Sequence, residues 1–191
     1  MPKRAFIIHQ WCGSPGSDWY PWLKKELEKR GFAAEIPAMP EPESPDIAKW
    51  VGFIGKSVGK ADRETYFVGH SIGCQAILRY LETGGHIGGA VFVAGWFTLT
   101  REAMPTRAEK AIANPWIRTP IDFRKVRQAT GNFAAIFSGN DPYVPLENAS
   151  MFRERLGAKI IIQAGKGHFT KEDGITKVPA ALEATLAMAG D

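Results

Sequence analysis

Short apolar runs alternate along this chain with amphipathic segments that repeat with the period of a helix. The apolar runs predict six strands, at residues 4–8, 33–36, 65–68, 90–94, 133–137 and 160–163. The amphipathic segments predict helices at residues 21–30, 45 to about 60, 72 to about 83, 146–156 and 178–188. Continuous apolar strands that alternate with helices are typical of parallel sheets covered on both faces. The pattern therefore predicts an α/β chain with three layers, α/β/α, around a mainly parallel sheet.

The segment 96–131 breaks this alternation. It is rich in proline and aromatic residues, at Pro105, Pro115, Pro120, Trp96, Trp116 and Phe123. Such a composition predicts an irregular excursion above the sheet edge with one short helix. The length of 191 residues and the hydrophobic content of 45% fit a single domain over residues 1–191.

The motif Gly-x-Ser-x-Gly occurs twice, around Ser57 and around Ser71. A nucleophilic serine in this motif needs a sharp turn between a strand and a helix, where the glycines let the backbone fold tightly. Ser71 meets this requirement, because it lies between the predicted strand 65–68 and the helix predicted from residue 72. Ser57 instead falls inside the second predicted helix, for which Ser44 is the expected N-cap and Pro45 the first residue. We therefore predict Ser71 as the nucleophile and Ser57 as an inert serine on a helix surface.

A serine hydroxyl needs a base, and the base needs an acid to orient it. Asp141 follows the predicted strand 133–137, and His168 follows the predicted strand 160–163. Both therefore lie at carboxyl ends of strands, at the same edge of the sheet as Ser71, in the chain order Ser, Asp, His of doubly wound hydrolases. We predict that Ser71, Asp141 and His168 form a catalytic triad.

Other acids and histidines are weaker candidates for these roles. Asp122 remains a distant substitute for the orienting acid, whereas Glu172 and Asp173 lie too close to His168 in sequence to be preferred. Three further histidines are also weaker candidates for the base. His70 adjoins the nucleophile and must point away from the base position. His9 closes the first strand, and His86 lies in a glycine-rich loop.

The oxyanion of an acyl-transfer intermediate needs two hydrogen-bond donors. In doubly wound hydrolases these come from the residue after the nucleophile and from the loop after the first core strand. Ile72 supplies the first backbone N–H. The loop 9–16 supplies the second, for which the N–H of Trp11 is preferred and that of Gln10 is the alternative.

Cofactor and membrane motifs do not occur in the sequence. It has no metal ligands at recognised spacing, no glycine loop that precedes a helix to bind phosphate, and no dinucleotide fingerprint, which predicts a reaction without a cofactor or metal. The first apolar run, 5–8, is too short for a signal peptide or a membrane span, so a soluble, cytoplasmic protein without a membrane partner is expected. Cys12 and Cys74 are accordingly expected to be reduced.

Positive charge is concentrated between residues 101 and 127, where seven basic residues stand against three acidic ones. Because no nucleic-acid-binding motif accompanies them, no nucleic acid partner is expected. The basic residues are interpreted as a solvated helical face. One alternative is a protein-binding surface, and another is electrostatic steering of acidic acyl substrates towards Ser71.

Four further segments are informative together with the Ser71 motif: WYPWLKKEL at 19–27, MPEP at 39–42, AILRYLE at 76–82 and GHF at 167–169. With them the chain resembles the small serine hydrolase family that includes retinoblastoma-binding protein 9 and its bacterial relatives. The resemblance implies a compact α/β-hydrolase fold without a large lid, with Ser71, Asp141 and His168 at the matching triad positions. The Leu-x-Cys-x-Glu motif of retinoblastoma binding does not occur, so that partner is not expected.

Taken together, these features predict a serine hydrolase that cleaves a carboxylic ester or related small-molecule acyl substrate through an acyl-enzyme intermediate. Thioester, amide and peptide substrates would use the same machinery, and the sequence does not separate them. The alternative hypothesis is a catalytically weak or inactive hydrolase-fold protein that acts as a protein-binding module through its basic, tryptophan-containing segment.

Overall fold

One sheet of six strands forms the centre of the computed structural model, which describes residues 2–190. The strands are β1 (Arg4–Ile8), β2 (Ala33–Glu35), β3 (Thr65–His70), β4 (Gly89–Val93), β5 (Phe133–Ser138) and β6 (Lys159–Gln163). Their order is β2-β1-β3-β4-β5-β6, and each of the five pairings is parallel. The predicted fold around a mainly parallel sheet is confirmed.

Within residues 2–190, seven helices follow or connect the strands: α1 (Tyr20–Glu28), α2 (Ile47–Val58), α3 (Ile72–Leu81), α4 (Arg107–Arg118), α5 (Phe123–Ala129), α6 (Asn148–Leu156) and α7 (Pro179–Ala189). Helices α1 and α7 pack together against one face of the sheet, and α2, α3, α5 and α6 cover the other. Every residue of α3 is buried, because helices flank it on both sides and the sheet lies beneath it. No helix in this part of the chain has the length and apolar character needed to cross a membrane.

The order of the strands reverses between β1 and β3. The chain runs from β1 outward to β2 and then returns to place β3 on the other side of β1. In open parallel sheets a reversal of this kind opens a crevice at the carboxyl ends of the strands, where ligands bind. The loops that leave β1 and β3 at this point carry Trp11 and Ser71.

The segment 96–131 contains two helices, α4 and α5, where the sequence predicts one. A capping box starts α4: the Thr106 hydroxyl accepts a hydrogen bond from Glu109 N at 3.2 Å, and the Glu109 carboxylate accepts one from Thr106 N at 2.8 Å. Asp122 caps α5 by accepting from the backbone N–H groups of Arg124 and Lys125. Local capping therefore starts helices in a segment that its prolines mark as irregular.

Helix α2 begins two residues later than predicted. Asp46, not Ser44, is its N-cap, because the Asp46 carboxylate accepts a hydrogen bond from Lys49 N at 2.9 Å. Pro45 lies outside the helix, and its carbonyl oxygen accepts from Trp116 Nε1 at 3.0 Å. The residue before the cap is thus held by a contact from α4, which no local pattern could reveal.

The buried side chain of Arg79 connects α3 to the end of α4 through hydrogen bonds. Its Nη2 donates to the carbonyl oxygens of Trp116, at 2.8 Å, and Thr119, at 2.9 Å. Close by, Asp122 N donates to Glu82 Oε1 at 2.7 Å. The segment that follows β4 is therefore tied to the helix that starts directly after Ser71.

Candidate active site

Ser71 lies in a tight turn between β3 and α3. Its backbone has φ 52° and ψ −117°, in a region that residues with a side chain rarely adopt. A Cβ at Gly69 would lie 2.8 Å from Cys74 N, and one at Gly73 would lie 2.8 Å from the carbonyl oxygen of His9. Both glycines are therefore required for the strand and the helix to approach so closely.

Ser57, the serine of the other motif copy, lies in α2, one residue before that helix ends at Val58. A Cβ at Gly55 would meet no atom nearer than Tyr80 Cε2, at 3.8 Å, so no close approach requires this glycine. The two copies of one pentapeptide thus occupy a strained turn and an ordinary helix.

Asp141 and His168 are brought together from the loops after β5 and β6. Asp141 Oδ2 lies 2.8 Å from His168 Nδ1, with side-chain exposures of 2% and 7%. Asp141 Oδ1 accepts hydrogen bonds from the backbone N–H groups of Tyr143 and Val144, at 2.8 and 3.0 Å, which fixes the carboxylate plane. Because an ionised carboxylate only accepts, a neutral His168 ring in this contact carries its proton on Nδ1 and leaves Nε2 unprotonated.

The competing acids serve other purposes. Asp122 caps α5, away from this pair. Asp173 contacts the base through its main chain: Asp173 Oδ2 accepts from His168 N at 2.8 Å and from Thr170 Oγ1 at 2.8 Å. A Cβ at Gly167, where φ is +51°, would collide with the Asp173 carboxylate, so the glycine before the base makes room for this bond.

The remaining histidines lie outside the pair. His86 is exposed in the loop before β4. His9 is buried; its Nδ1 donates to Gln10 O at 2.8 Å and its Nε2 accepts from Met39 N at 3.1 Å. His70 is fully buried beneath the turn, with both ring nitrogens hydrogen-bonded. Burial lowers the pKa of His9 and, much more strongly, that of His70, so both rings are neutral at pH 7.

The loop after β1 presents one backbone N–H at the site. The carbonyl oxygen of Gln10 accepts from His9 Nδ1 and, at 3.0 Å, from Gly13 N, which fixes the Gln10–Trp11 peptide plane. In a trans peptide the N–H of Trp11 points opposite to that carbonyl. The N–H of Gln10 donates to Tyr20 Oη at 3.2 Å, so the alternative donor is already engaged. Ile72 is the first residue of α3, and its N–H therefore has no partner within the helix.

A cavity of about 290 Å³ connects these groups. It is lined by Gln10, Trp11, Ser71, Ile72, Trp96, Leu99, Glu102, Ala103, Pro105, Glu109, Tyr143 and His168. A larger cleft of about 360 Å³ lies at the opposite, amino-terminal edge of the strands, lined by Arg63, His86 and Arg127 among others, and it contains neither Ser71 nor His168. Of these two cavities, the smaller one joins the predicted nucleophile to the predicted base.

The segment 101–127 is basic overall, but the charged residues that it places in the cavity wall are acidic. Residues from 96–109 contribute Glu102 and Glu109, and within the described chain none of the seven basic residues of 101–127 lines the cavity. The charged side chains that this segment contributes to the cavity wall are therefore negative. Steering of acidic substrates by this segment is not supported.

Three residues were assigned no structural role at the site in the sequence analysis. Tyr20 is the first residue of α1, Asp18 lies two residues before that helix, and Asp173 lies five residues after the base. Tyr20 belongs to the segment 19–27, which carries the family resemblance, and this was the sequence feature that could have identified it. The spacing Gly167-His168-Phe169-Thr170-x-x-Asp173 was the signal for Asp173, since Thr and Asp at this separation commonly form a turn.

The two cysteines are free. Cys12 is exposed beside Trp11, whereas Cys74 is buried under the turn. Burial raises the pKa of Cys74 well above its ordinary value and also raises that of Cys12, so both are thiols at pH 7. Neither has the depressed pKa of a nucleophilic cysteine.

Comparison with known proteins identifies the family of this chain. YdeN of Bacillus subtilis is 30% identical over 182 residues, which cover 94% of this chain and 92% of YdeN. Its crystal structure superposes with a TM-score of 0.88 at 27% identity, covering 99% of this chain and all of the other. The serine hydrolase RBBP9 of Rattus norvegicus is 28% identical over 174 residues, 88% of each chain. The sequence model of the serine hydrolase family matches residues 5–186. The chain therefore belongs to the serine hydrolase family and is a serine hydrolase.

Proposed function

We propose that this enzyme cleaves a carboxylic ester or related acyl substrate with Ser71 as nucleophile, His168 as general base and acid, and Asp141 as the orienting acid. The observation that carries the proposal is the 2.8 Å hydrogen bond between Asp141 and His168, beside the cavity that both His168 and Ser71 line. Ser71 is the serine that lies in the strained turn between β3 and α3, with φ 52°. The family supplies the reaction type, and this arrangement supports the assignment of residues.

In the proposed mechanism the Ser71 oxygen attacks the substrate carbonyl carbon while His168 Nε2 takes the hydroxyl proton. The negative oxygen of the tetrahedral intermediate accepts hydrogen bonds from Trp11 N–H and Ile72 N–H. Collapse breaks the bond to the leaving group, which receives the proton from His168 and departs as the alcohol. Water then attacks the acyl-enzyme with the same imidazole as base, which releases the acid and restores Ser71.

The size of the cavity supports a small substrate. About 290 Å³ lies at the lower end of ordinary small-molecule sites. Trp11, Trp96 and Leu99 give its wall apolar surface, which suits the hydrocarbon part of an acyl chain or alcohol. Ester hydrolysis is the reaction proposed first because an alcohol is an easier leaving group than an amine.

The test is the intact mass of the protein after treatment with a fluorophosphonate, which attaches to activated serines. Wild-type protein and Ser57→Ala should each gain one adduct, and Ser71→Ala should gain none. An adduct that survives in Ser71→Ala would overturn the assignment. No adduct on folded wild-type protein would instead favour the protein-binding alternative.

A further inference from the structure

A chain of buried hydrogen bonds runs beneath the turn at Ser71. His70, which is 0% exposed, places its Nε2 2.8 Å from the main-chain oxygen of His168 and its Nδ1 2.6 Å from Tyr20 Oη. Tyr20, also 0% exposed, accepts a hydrogen bond from Gln10 N at 3.2 Å. Four residues from four different parts of the chain are thus connected in a line.

The direction of each hydrogen bond in this line is fixed. A carbonyl oxygen only accepts, so His70 Nε2 carries the ring proton and donates to His168 O. His70 Nδ1 is then unprotonated and accepts the hydroxyl proton of Tyr20. The Tyr20 oxygen in turn accepts from Gln10 N–H. Every member has a partner, so each bond depends on the others remaining in place.

The line of hydrogen bonds ends at the oxyanion-donor loop on one side and at the general base on the other, and catalysis requires a set distance between these two parts of the proposed site. Gln10 precedes Trp11, whose N–H is the proposed oxyanion donor. His168 is the proposed general base. The line therefore spans from the donor loop after β1 to the base loop after β6, which lie on opposite sides of β3 in the sheet.

A second bridge connects the same two loops. Asp18 Oδ2 accepts from Gln10 Nε2 at 2.9 Å, and Asp18 Oδ1 accepts from Lys171 N at 2.8 Å. The backbone of Asp18 has φ 50°, in the left-handed region, so this residue adopts a costly conformation where it makes both contacts. The two bridges share Gln10 and interact through Asp18 and Tyr20, and together they indicate that the relative position of these loops is closely controlled.

We infer that Tyr20 and His70 are positioning residues that hold the oxyanion-donor loop and the general base in register. The inference rests on the proposed roles of Trp11 and His168. Neither Tyr20 nor His70 touches the substrate cavity; they act through the main chains of Gln10 and His168. The transition state needs both of these groups placed to within a fraction of an ångström, whereas substrate binding does not.

The test compares Tyr20→Phe, His70→Leu and His70→Gln by steady-state hydrolysis of p-nitrophenyl acetate, below the melting temperature of every variant. Tyr20→Phe and His70→Leu should lower kcat by about 10- to 100-fold while KM stays within about twofold, because displacement of a catalytic group by about 1 Å costs this much. His70→Gln should recover most of the loss seen in His70→Leu, since its amide reaches the position of Nε2 and donates to His168 O.

Tyr80→Phe is the matched control. Tyr80 is also buried, at 7% exposure, but lies at the far end of α3 from Ser71. It should retain wild-type kcat. If the His70 variants do not fold, Tyr20→Phe decides the question alone, since it removes a single oxygen atom.

The outcomes separate this inference from the proposed function. Unchanged kcat in Tyr20→Phe, even with a lower melting temperature, would show that the line supports only the fold and would overturn the inference. Equal loss in His70→Leu and His70→Gln would overturn the role of the bond to His168. If wild-type protein neither hydrolyses the ester nor forms a Ser71 adduct, the proposed function fails and the inference falls with it.

Discussion

At the scale of single residues, the carboxylate of Asp141 divides its two oxygens between two tasks. Oδ1 is held by the backbone N–H groups of Tyr143 and Val144, and Oδ2 is left for His168. This arrangement determines which nitrogen of His168 carries the proton. The residue therefore acts through the tautomer of the imidazole as well as through its charge.

Asp141→Asn should lower kcat by about 10³- to 10⁴-fold with little change in KM, the size of effect seen when an orienting acid of a serine hydrolase is neutralised. The asparagine oxygen can keep the bonds to Tyr143 and Val144, but its NH₂ group then faces His168 Nδ1. The imidazole proton moves to Nε2, and the ring can no longer accept the proton of Ser71. Steady-state ester hydrolysis measures the loss.

Asp122→Asn is the control for this change, because Asp122 caps α5 away from the site. Its turnover should remain close to that of the wild type. Comparable losses in the two variants would mean that Asp141 is not the orienting acid.

At the scale of elements, the turn at Ser71 depends on close approaches at its glycines that Gly55 of the other motif copy does not make. A side chain at Gly73 would meet the carbonyl oxygens of Ile8 and His9, at the end of β1. At Gly55 there is room for one within α2. Substituting one glycine in each copy, Gly73 in the turn and Gly55 in the helix, therefore separates the effect of the turn from that of the pentapeptide.

Gly73→Ala should destabilise the protein by about 3 kcal/mol through overpacking, and Gly55→Ala should stabilise it by about 0.5–1 kcal/mol through helix propensity. With about 2–4 °C per kcal/mol for a chain of this size, the melting temperature should fall by about 6–12 °C in the first variant. Thermal unfolding followed by circular dichroism measures both shifts. A stabilised Gly73→Ala protein would contradict the tight packing between α3 and β1.

The elements that the sequence predicts best are the strands, which continuous apolar runs define. All six strands lie where periodicity places them, but β3 extends to His70 rather than ending at Val68, because Gly69 and His70 continue the ladder with β4. Glycine has low strand propensity, so local pattern ends the strand too early. In the segment 96–131, α4 begins with a capping box but contains Pro115. Proline disfavours a helix interior, so the local pattern does not predict this helix.

At the scale of the whole molecule, the triad candidates could be predicted because parallel strands bring their carboxyl ends to one edge. Chain order alone then places residues that are far apart in sequence near each other. The contacts of Tyr20 and Asp18 could not be predicted in this way. They depend on where α1 packs against the sheet, which no motif or spacing specifies.

Two buried neutral histidines make the stability of the whole molecule depend on pH. In the unfolded chain His9 and His70 would take up protons near pH 6.5, whereas burial lowers both pKa values in the folded protein. Interactions with the rings of His168 and His9 lower the pKa of His70 further, whereas the hydrogen bond to the His168 main chain raises it in part. Burial raises the pKa of Tyr20, on the other side of the ring, so that its hydroxyl is neutral. Below about pH 6.5 the unfolded state binds more protons, so stability falls as pH falls.

The expected slope is at most about 1.4 kcal/mol per pH unit for each histidine. Melting temperatures measured between pH 8 and pH 5 should be level above neutrality and should fall below about pH 6.5. His70→Gln removes one of the two titrating groups and should flatten the decline. Equal slopes in the variant and the wild type would show that His70 does not contribute.

The hydrogen bonds of Arg79 to the segment around α4 have a consequence for the rate of hydrolysis at an oil–water boundary. Arg79, in the buried helix that begins after Ser71, binds the carbonyl oxygens of Trp116 and Thr119 at the end of α4, and the first turn of α4 contributes Glu109 to the cavity wall. Because α4 is held in this way, we expect the entrance to keep its shape when the protein meets an oil–water boundary. Initial rates on a sparingly soluble ester should rise smoothly through its solubility limit, without the abrupt interfacial activation of lidded lipases.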